Sequence, residues 1–274
     1  MKPFLKWAGN KYAIMDRIKA ILPDGNRLIE PFSGSAAVFL NTDFNDAILS
    51  DINPDLINMY QYLKKDGQKF IGYCSTFFVK ETNNADSYYH FRKIFNGTGD
   101  TRLRAALFLY FNRHGYNGLC RYNNKGEFNV PFGKYTKPYF PAEEMLQFHS
   151  KVQSAELVQQ DFMKTMEAAR PGDVIYCDPP YVPLTETANF TGYSSGGFGI
   201  REQETLAAMA KELSRKGINV VISNHDTHFT QTAYESARIV SFQVRRFISC
   251  KGDTRGQANE MLALFGLDGE TMVG

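Results

Sequence analysis

The segment Arg27-Leu-Ile-Glu-Pro-Phe-Ser-Gly-Ser-Ala-Ala-Val38 decides the fold class, because a short apolar run is followed there by a Gly/Ser loop and the start of a helix. A second unit of the same kind comes next. Residues 47–50 are a predicted strand that ends at Asp51, and residues 54–65 have helical periodicity with a proline in the first turn. The start of the chain therefore alternates strand and helix.

The alternation resumes in the second half of the chain. Residues 156–158, 173–177 and 218–223 are predicted strands, and residues 202–216 are a predicted helix. The last two predicted strands, residues 237–248 and 260–265, would form an antiparallel hairpin at the sheet edge. We expect an α/β fold, a doubly wound and mainly parallel sheet with helices on both faces.

Residues 66–143 differ from both halves, because they contain helical stretches at 88–95 and 102–112 and a Gly/Asn/Tyr-rich loop but no buried parallel strand. We interpret this part as an inserted, mostly helical domain that carries a β-hairpin. The predicted boundaries are 57–144 for the insert, and 1–56 together with 145–274 for the main domain.

Composition excludes several classes of protein. The chain has 274 residues, 43% hydrophobic and 22% charged, which is typical of a globular protein, and its net charge of +2 does not by itself indicate a nucleic-acid partner. The longest apolar run, residues 105–111, is too short for a membrane span, and the first residues do not resemble a signal peptide. The four cysteines lie far apart, as reduced thiols do. We expect a cytoplasmic monomer without a metal site.

The loop after the first strand is a candidate cofactor site. Ligands of open α/β sheets bind beyond the carboxyl ends of the strands. Asp51 follows Gly34 by 17 residues, close to the roughly 20 expected for an acid that binds a ribose diol. The alternative is an ordinary β-α turn followed by a helix-capping aspartate. The loop lacks clustered pyrophosphate donors, so a cofactor without phosphates is favoured.

The strongest local signal is Asp178-Pro179-Pro180-Tyr181, directly after the apolar strand 173–177. The two prolines fix the backbone and remove two N–H donors, so that carbonyls and the Asp178 carboxylate present acceptors beside an aromatic ring. A planar amine fits such a group, because its two hydrogens can bond to Asp178 and the Pro179 carbonyl while Tyr181 stacks on the attached ring. The alternative is a proline-stiffened exit from the strand.

Four ordered motifs carry a family resemblance: Phe4-Leu-Lys-Trp-Ala-Gly-Asn-Lys11, Glu30-Pro-Phe-Ser-Gly34, Asn112-Arg-His-Gly-Tyr-Asn-Gly-Leu-Cys-Arg-Tyr-Asn123 and Asp178-Pro-Pro-Tyr181. Together they closely resemble the Dam-type DNA adenine methyltransferases, over nearly the whole chain from Phe4 to Phe265. The resemblance implies S-adenosylmethionine as methyl donor, with S-adenosylhomocysteine as product. It also implies the exocyclic N6 amine of a flipped adenine in duplex GATC as acceptor, with Asp178, Pro179, Pro180 and Tyr181 as the catalytic residues.

The resemblance also implies which residues bind the cofactor, with Asp51 on the ribose hydroxyls and the 161–162 pair around the adenine. The full set is Trp7, Ala8, Gly9, Lys11, Glu30, Pro31, Phe32, Ser33, Gly34, Ser35, Ala36, Asp51, Asp161, Phe162 and Asp178. Two positions depart from the family pattern, which usually has glycine at Ala36 and a glycine pair at Gly9-Asn10. We expect Asn10 to keep the turn in the left-handed region. A positive φ at Ala36 would cost about 1 kcal/mol, and its Cβ could crowd the cofactor carboxylate.

The segment 113–137 is a candidate DNA-binding surface, because it holds five basic residues against one acid. Its turn signals predict a hairpin, and a solvated basic face is the alternative. The resemblance implies that Arg121 reads a guanine, Lys6 contacts the first guanine, Leu119 and Pro131 contact the thymine methyl, and Tyr116 with Asn117 enter the space left by the adenine. Further candidates are Arg92, Arg113, Asn123 and Tyr135.

Two other readings stay open: a DNA-binding protein that has the fold but little or no turnover, and a methyltransferase whose acceptor is an RNA base or a protein glutamine. His225 and Asp226 are interpreted as pocket-wall or hydrogen-bonding residues rather than general bases. Residues 185–199 are a mobile lid or a surface loop, and the basic stretch 245–255 is a candidate phosphate clamp.

Overall fold

The computed structural model describes residues 1–182, 198–245 and 257–266. By its internal contacts the chain forms two compact units. The first comprises Met1–Met15 and Ser33–Asp161, and the second comprises Asp16–Phe32 and Phe162–Gly274. The predicted candidates 185–197 and 246–255 lie outside the described residues.

The first unit is mostly helical. Its two strands, β2 (Asp46–Asp51) and β3 (Ala155–Gln159), pair in parallel, with Asp51 opposite Gln159 at the carboxyl end. Its helices are α2 (Ala37–Asn41), α3 (Pro54–Asp66), α4 (Gln68–Ser75), α5 (Ala85–Gly97), α6 (Thr101–His114) and α7 (Ala142–Lys151).

Three of these helices begin at capping side chains that the sequence supplies: Asn53 before α3, Asn84 before α5 and Asp100 before α6. Asn53 accepts hydrogen bonds from the backbone N–H groups of Asp55 and Leu56 at the start of α3, where Pro54 occupies the first position. Asp100 caps α6 in the same way, and the ten residues 105–114 of that helix are all buried. The helix α6 is therefore the central element against which the first unit packs.

Among its described residues, the second unit has five strands: β1 (Arg27–Glu30), β4 (Asp173–Cys177), β5 (Asn219–His225), β6 (Arg238–Arg245) and β7 (Gln257–Phe265). Neighbours follow the order β1-β4-β5-β7-β6. The pairs β1–β4 and β4–β5 are parallel, whereas β7 runs antiparallel to both β5 and β6. The described helices are α1 (Met15–Ile21, which starts at the unit boundary), α8 (Phe162–Glu167), α9 (Ile200–Arg215) and α10 (His228–Ala233).

The predicted α/β class is confirmed: strands alternate with helices, the pairs β2–β3, β1–β4 and β4–β5 are parallel, and β6 and β7 form the predicted antiparallel hairpin. All five residues of β4 are buried, as a central parallel strand requires. The two compact units do not follow the predicted boundaries at 57–144, and the functional division into catalytic and recognition domains stays a prediction.

The chain between Arg121 and Asn129 folds back on itself, but only isolated bridges form there. Tyr122 pairs with Phe128, and Gly115 pairs with Phe132. Backbone hydrogen bonds join the two arms: Asn123 N donates to the Glu127 carbonyl at 2.9 Å, and Asn129 N donates to the Arg121 carbonyl at 3.1 Å. At the turn itself, Asn123 Oδ1 accepts the N–H groups of Lys125 and Glu127. The predicted hairpin is therefore present as two short arms joined by backbone hydrogen bonds, although its arms are too short to count as regular strands.

Candidate functional site

The loop after β1 is fixed around Gly34 in the first unit. The Gly34 N–H donates to Asp51 Oδ2 at 3.1 Å, and its carbonyl accepts from the Tyr60 hydroxyl at 2.6 Å. An added Cβ would lie 2.7 Å from Nε1 of Trp7, and φ is +45°. Only glycine fits this position. Any other residue would be strained at this positive φ, and its Cβ would clash with the Trp7 indole ring.

Asp51 ends β2 and its carboxylate is held by backbone donors. Oδ2 accepts from Gly34 N, and Oδ1 accepts from Asn53 N at 3.0 Å. Burial raises the pKa of Asp51, and hydrogen bonds from the N–H groups of Asn53, Gly34 and Ile52 oppose that rise. An ionised carboxylate has about four lone-pair sites, so these three N–H groups leave room for a ligand hydroxyl such as one of a ribose.

Ala36 takes the left-handed conformation, with φ 54° and ψ 36°, directly before α2. The expectation of a strained alanine here is confirmed, at a cost of about 1 kcal/mol relative to glycine. The expectation for Asn10 is wrong: its φ is −56°, and Gly9, with φ +75°, makes the turn. Asn10 instead accepts from Tyr12 N and donates to the Trp7 carbonyl, each at 3.2 Å.

The remaining cofactor candidates of the first unit differ in exposure. Ser33 and Ser35 are buried, and Ser33 Oγ has no hydrogen-bond partner among the residues that the structure describes. Lys11 is 5% exposed and donates to the Gly9 carbonyl, whereas Ala8 is exposed. A buried serine hydroxyl without a partner in this loop is an open donor for a ligand.

Asp178 is the first residue after β4, in the second unit, and it is half-buried. The Ser223 hydroxyl of β5 lies 3.0 Å from its Oδ1. The next residues are also held: Gln203 Nε2 donates to the Pro180 carbonyl at 2.7 Å, and Val182 N donates to Asn224 Oδ1 at 3.2 Å. The Asp-Pro-Pro-Tyr segment is therefore fixed from β5 and α9 as well as by its own prolines.

The Tyr181 ring is oriented by two neighbours from the second unit. Its hydroxyl donates to Glu260 Oε2 at 3.3 Å, and its ring meets the His225 ring edge-on with centroids 4.8 Å apart. Burial is the main cause that raises the pKa of Tyr181, with the Asp178 carboxylate as a further cause, so the phenol stays protonated. His225 Nδ1 lies 2.6 Å from the Val182 carbonyl, so that nitrogen carries the proton.

An aromatic cluster in the second unit contains two cofactor candidates. Phe32 stacks on Phe162 with centroids 5.4 Å apart and an interplanar angle of 24°, and Phe198 meets both rings edge-on. Phe162 begins α8, directly after Asp161. Of the candidates at the end of β1, Glu30 and Pro31 are buried. The structure thus joins Phe32 and Phe162, which lie 130 positions apart in the sequence.

Arg121 is exposed and is oriented by Asn129 across the turn. Its Nε donates to Asn129 Oδ1 at 2.8 Å, and its Nη2 lies 3.4 Å from the Asn129 carbonyl. Asn123 uses its own side chain within the turn, because it donates to Glu127 Oε2 at 2.8 Å and accepts two backbone N–H groups. Asn129 therefore fixes the orientation of the exposed Arg121 guanidinium.

Lys6, Asn117 and Tyr135 are brought together in the first unit. The Lys6 ammonium lies 4.2 Å from the centre of the Tyr135 ring, and the Tyr135 hydroxyl accepts from Asn117 N at 3.0 Å. Burial and the nearby Arg113 charge lower the pKa of Lys6. Asn117 has φ 54° and is exposed, and its neighbour Tyr116 is 52% exposed. These four DNA-binding candidates therefore share one surface.

The other DNA-binding candidates divide into exposed and buried. Pro131 is exposed and Leu119 is half-buried. Arg92 donates to the Val130 carbonyl at 3.2 Å and lies over the Tyr89 ring. Arg113 is 7% exposed and donates to the Phe4 carbonyl, and burial lowers its pKa. Because the Arg113 guanidinium is buried and bonds to a backbone carbonyl of the same protein, it is not available to bind DNA.

Sequence reasoning missed three residues that hold the site: Ser223, Asn129 and Asn112. Asn112 is 2% exposed. Its Oδ1 accepts from Lys6 N at 2.9 Å, and its Nδ2 donates to the carbonyls of Lys6 and Gly118. For Asn112, the sequence did offer a signal, since this polar residue directly follows the apolar run 105–111. A buried amide at such a position is expected to be fully hydrogen-bonded and therefore to hold neighbouring segments in place.

Among the described residues, no cluster of three or more His, Cys, Asp or Glu side chains has the arrangement of a metal site. Cys74, Cys120 and Cys177 are free thiols. In the same part of the chain, no helix has both the length and the apolar composition that a membrane span needs.

The chain belongs to the D12 class N6 adenine-specific DNA methyltransferase family, whose model matches residues 7–248. It is 50% identical over 264 residues to the DNA adenine methylase of Escherichia coli (strain K12), an alignment that covers 96% of this chain and 95% of the relative. The DNA adenine methylase of Serratia marcescens is 49% identical over 96% of this chain and 98% of its own. That of Vibrio cholerae serotype O1 is 48% identical over 96% of each. The resemblance to the Dam-type enzymes is therefore confirmed.

Proposed function

We propose that this protein transfers a methyl group from S-adenosylmethionine to the N6 amine of an adenine in duplex GATC. The observation that carries the proposal is the fixed Asp178-Pro179-Pro180-Tyr181 segment at the end of the buried strand β4. Its carboxylate is within hydrogen-bond distance of Ser223, and its phenol is held by Glu260 and His225. Membership of the adenine-specific family supports the proposal. We further propose that the enzyme acts as a monomer in the cytoplasm.

The proposed chemical role of this segment is to activate an amine. One amine hydrogen bonds to the Asp178 carboxylate and the other to the Pro179 carbonyl, which favours a pyramidal nitrogen with an available lone pair. The two prolines offer no N–H that would compete. Tyr181, whose raised pKa keeps its phenol neutral, stacks on the purine ring. Catalysis then depends on positioning and electrostatics rather than on a strong base.

His225 fits this account as a wall of the pocket. Its Nδ1–H is committed to the Val182 carbonyl, and its ring fixes the angle of Tyr181. We therefore assign it a positioning role and not that of a general base.

The first unit offers groups that suit a nucleoside cofactor. The Asp51 carboxylate is held by backbone N–H groups and has capacity left for a ribose hydroxyl, and the buried Ser33 hydroxyl has no hydrogen-bond partner among the described residues. S-adenosylmethionine would supply an electrophilic methyl group on a sulfonium centre. The protein would hold the ribose through Asp51, and Gly34 would keep the loop after β1 rigid.

DNA recognition is assigned to the 57–144 region together with Lys6. Arg121 would make bidentate hydrogen bonds to a guanine, and the exposed Tyr116 with Asn117 would occupy the space of the extruded adenine. Extrusion costs a few kcal/mol, which contacts in the vacated space offset. Lys6 over the Tyr135 ring is placed for a further base contact.

An Asp178→Ala variant tests the proposed catalytic role. Methyl transfer to a GATC duplex should be lost, while the affinity for that duplex should change little, because Asp178 lies in the second unit and the proposed base-reading side chains lie in the first. Equal losses of both properties would contradict the role. Glu212→Ala, which removes an exposed carboxylate of α9, is the matched control.

The recognition sequence is tested directly in cells. Plasmid DNA from cells that lack their own adenine methylation and express this chain should resist a nuclease blocked by adenine methylation at GATC. Digestion equal to that of the empty-vector control would contradict the proposed sequence.

The strained Ala36 favours a second candidate function, a DNA-binding protein with little turnover. Its φ of 54° and its buried methyl group lie in the loop assigned to the cofactor. Ala36→Gly should raise cofactor affinity several-fold if the methyl group crowds the site. A wild-type protein that binds GATC duplex without methylating it, and that Ala36→Gly activates, would favour this candidate.

A further inference from the structure

A chain of hydrogen bonds runs through the first unit from the cofactor-site carboxylate to the turn that carries Arg121. Asp51 Oδ1 accepts from Asn53 N at 3.0 Å, and Asn53 Nδ2 donates to Cys120 Sγ at 3.3 Å. The Cys120 thiol lies 3.9 Å from the Tyr122 hydroxyl, which donates to Asp55 Oδ2 at 2.6 Å. We call these five residues the relay chain.

Both ends of the relay chain are anchored. At one end, Asp51 also accepts from the N–H of Gly34. At the other end, Asp55 is 3% exposed and forms a two-bond ion pair with Arg104 of α6, including a 3.0 Å bond from Nη2 to Oδ2. Asp55 has little freedom to move, because it is buried and a guanidinium binds it at two points. A displacement of Cys120 or Tyr122 therefore cannot be compensated by a movement of Asp55.

The directions of the hydrogen bonds in the relay chain are fixed by protonation. Burial raises the pKa of Cys120 to about 11, and burial also raises the pKa of Tyr122. Both groups therefore carry their protons at neutral pH. The thiol accepts from the Asn53 amide and donates to the phenol oxygen, and the phenol donates to Asp55, so each group has one defined role.

Arg121 lies between the two relay residues Cys120 and Tyr122 in the sequence. Cys120 and Tyr122 are half-buried, whereas Arg121 is exposed, which is the alternation of an extended segment. The backbone on each side of Arg121 is thus tied to the relay chain, and Asn129 orients the guanidinium from across the turn. Movement of either relay side chain would move the base-reading donors.

We infer that Cys120 and Tyr122 are positioning residues that couple cofactor binding at Asp51 to the placement of Arg121 on its target base. The inference rests on the proposed function, which puts a ribose on Asp51 and a guanine on Arg121. A ligand hydroxyl on Asp51 adds a donor to a carboxylate that the Gly34 and Asn53 N–H groups already hold, and a shift of that carboxylate is passed through Asn53 to the thiol that its side-chain amide binds. The coupling is reciprocal, so DNA binding must tighten cofactor binding by the same factor.

The test measures that factor by calorimetry. S-adenosylhomocysteine is titrated into the full chain alone and into the chain saturated with a GATC duplex, for wild type, Cys120→Ala, Cys120→Ser and Tyr122→Phe. Wild type should bind the cofactor product at least about 5-fold more tightly with DNA, within the usual range for coupled sites. The factor should fall towards 1 in Cys120→Ala and Tyr122→Phe, and Cys120→Ser, which keeps a donor and an acceptor, should retain most of it.

Tyr110→Phe is the matched control. It removes a buried phenol that donates to the Thr82 carbonyl at 2.7 Å outside the relay chain, so the coupling factor should be unchanged. A structural defect would lower the midpoint of thermal unfolding and weaken both ligands, but it would not selectively abolish their coupling. If Tyr122→Phe fails to fold, Cys120→Ala alone decides.

Two results would overturn the inference: an unchanged coupling factor in Cys120→Ala, or no coupling in a wild-type protein that methylates GATC duplex. Failure of the proposed function is a different observation, since wild type would then not methylate that duplex at all.

Discussion

The Ser223 hydroxyl on β5 lies 3.0 Å from the Asp178 carboxylate at the end of β4, so a neighbouring strand orients the proposed catalytic acceptor. Strand β5 pairs with β4 in parallel, with Ile222 opposite Cys177. This register brings the residues that follow them, Ser223 and Asp178, next to each other. The aspartate is thus positioned by the sheet itself.

Ser223→Ala should slow methyl transfer about 10- to 100-fold, because a hydrogen bond to a charged group contributes about 1.5–3 kcal/mol. Affinity for GATC duplex should stay close to that of wild type. Single-turnover methylation and duplex binding measure the two effects. Ser214→Ala, which removes a hydroxyl bonded to the Lys211 carbonyl within α9, is the control. Equal rates in the two variants would refute the role of Ser223.

Gly34→Ala should weaken binding of S-adenosylhomocysteine at least 10-fold. The new Cβ would lie 2.7 Å from Trp7 Nε1 and would add strain of about 1 kcal/mol at a φ of +45°. Calorimetry measures the affinity and thermal unfolding the stability. Gly72→Ala is the control, since nothing lies within 4 Å of the added Cβ in α4 and its affinity should not change. Wild-type affinity in Gly34→Ala would show that the loop does not contact the cofactor.

Arg121→Ala should relax discrimination at one guanine of the site by about 1–3 kcal/mol. Competition between GATC duplex and duplexes with single substitutions measures the loss at each position. Lys125→Ala, which removes an exposed charge from the same turn, should instead weaken all duplexes alike. A uniform loss for Arg121→Ala would make Arg121 a phosphate contact.

Stability should fall as the pH falls from about 6.5 to about 4, because of His114. This residue is 1% exposed and stacks on Tyr110 with centroids 3.9 Å apart, and burial lowers its pKa from 6.5 to about 4. The unfolded chain takes up the proton near pH 6.5 and the folded chain only near pH 4. The contribution of His114 to the free energy of unfolding is therefore complete above pH 6.5, and it decreases by about 3 kcal/mol as the pH falls from about 6.5 to about 4.

Urea unfolding at a series of pH values checks the His114 prediction. In His114→Gln, which has no titrating group at this position, the free energy of unfolding should depend less on pH between 6.5 and 4. An identical slope in the two proteins would assign the acid sensitivity to other groups.

Strands and long helices were predictable because their periodicity is local. The buried run 173–177 matches β4 in both bounds, and the predicted helix 54–65 matches α3 (Pro54–Asp66) to within one residue. Helices α4 and α7 were missed, since each lies in a region that we interpreted by its loops and charges. Each has an apolar face that the sequence already carries, with Phe70, Ile71 and Cys74 buried in α4 and Met145 and Phe148 buried in α7.

The candidate site was predictable as motifs but not as contacts. The left-handed Ala36 follows from the turn geometry, whereas the backbone of Asn10 could not be foreseen, because Gly9 next to it supplies the positive φ. Arg113 was predicted to bind DNA because it lies in the basic segment 113–137. Its burial against the Phe4 carbonyl depends on a contact between residues 109 positions apart, which no local pattern encodes.

The Asn112 side chain bonds to both backbone groups of Lys6 and to the Gly118 carbonyl, and a Cβ on Gly118 would lie 2.5 Å from that of Lys6. The amino-terminal segment around Lys6 and the turn-bearing region are thus held together by side-chain hydrogen bonds and close packing. Anyone who grafts the 112–137 segment of a relative onto this chain to alter its target sequence would have to transplant residues 4–7 as well. Under the proposed function, the residues that select the target sequence therefore do not form one transferable segment.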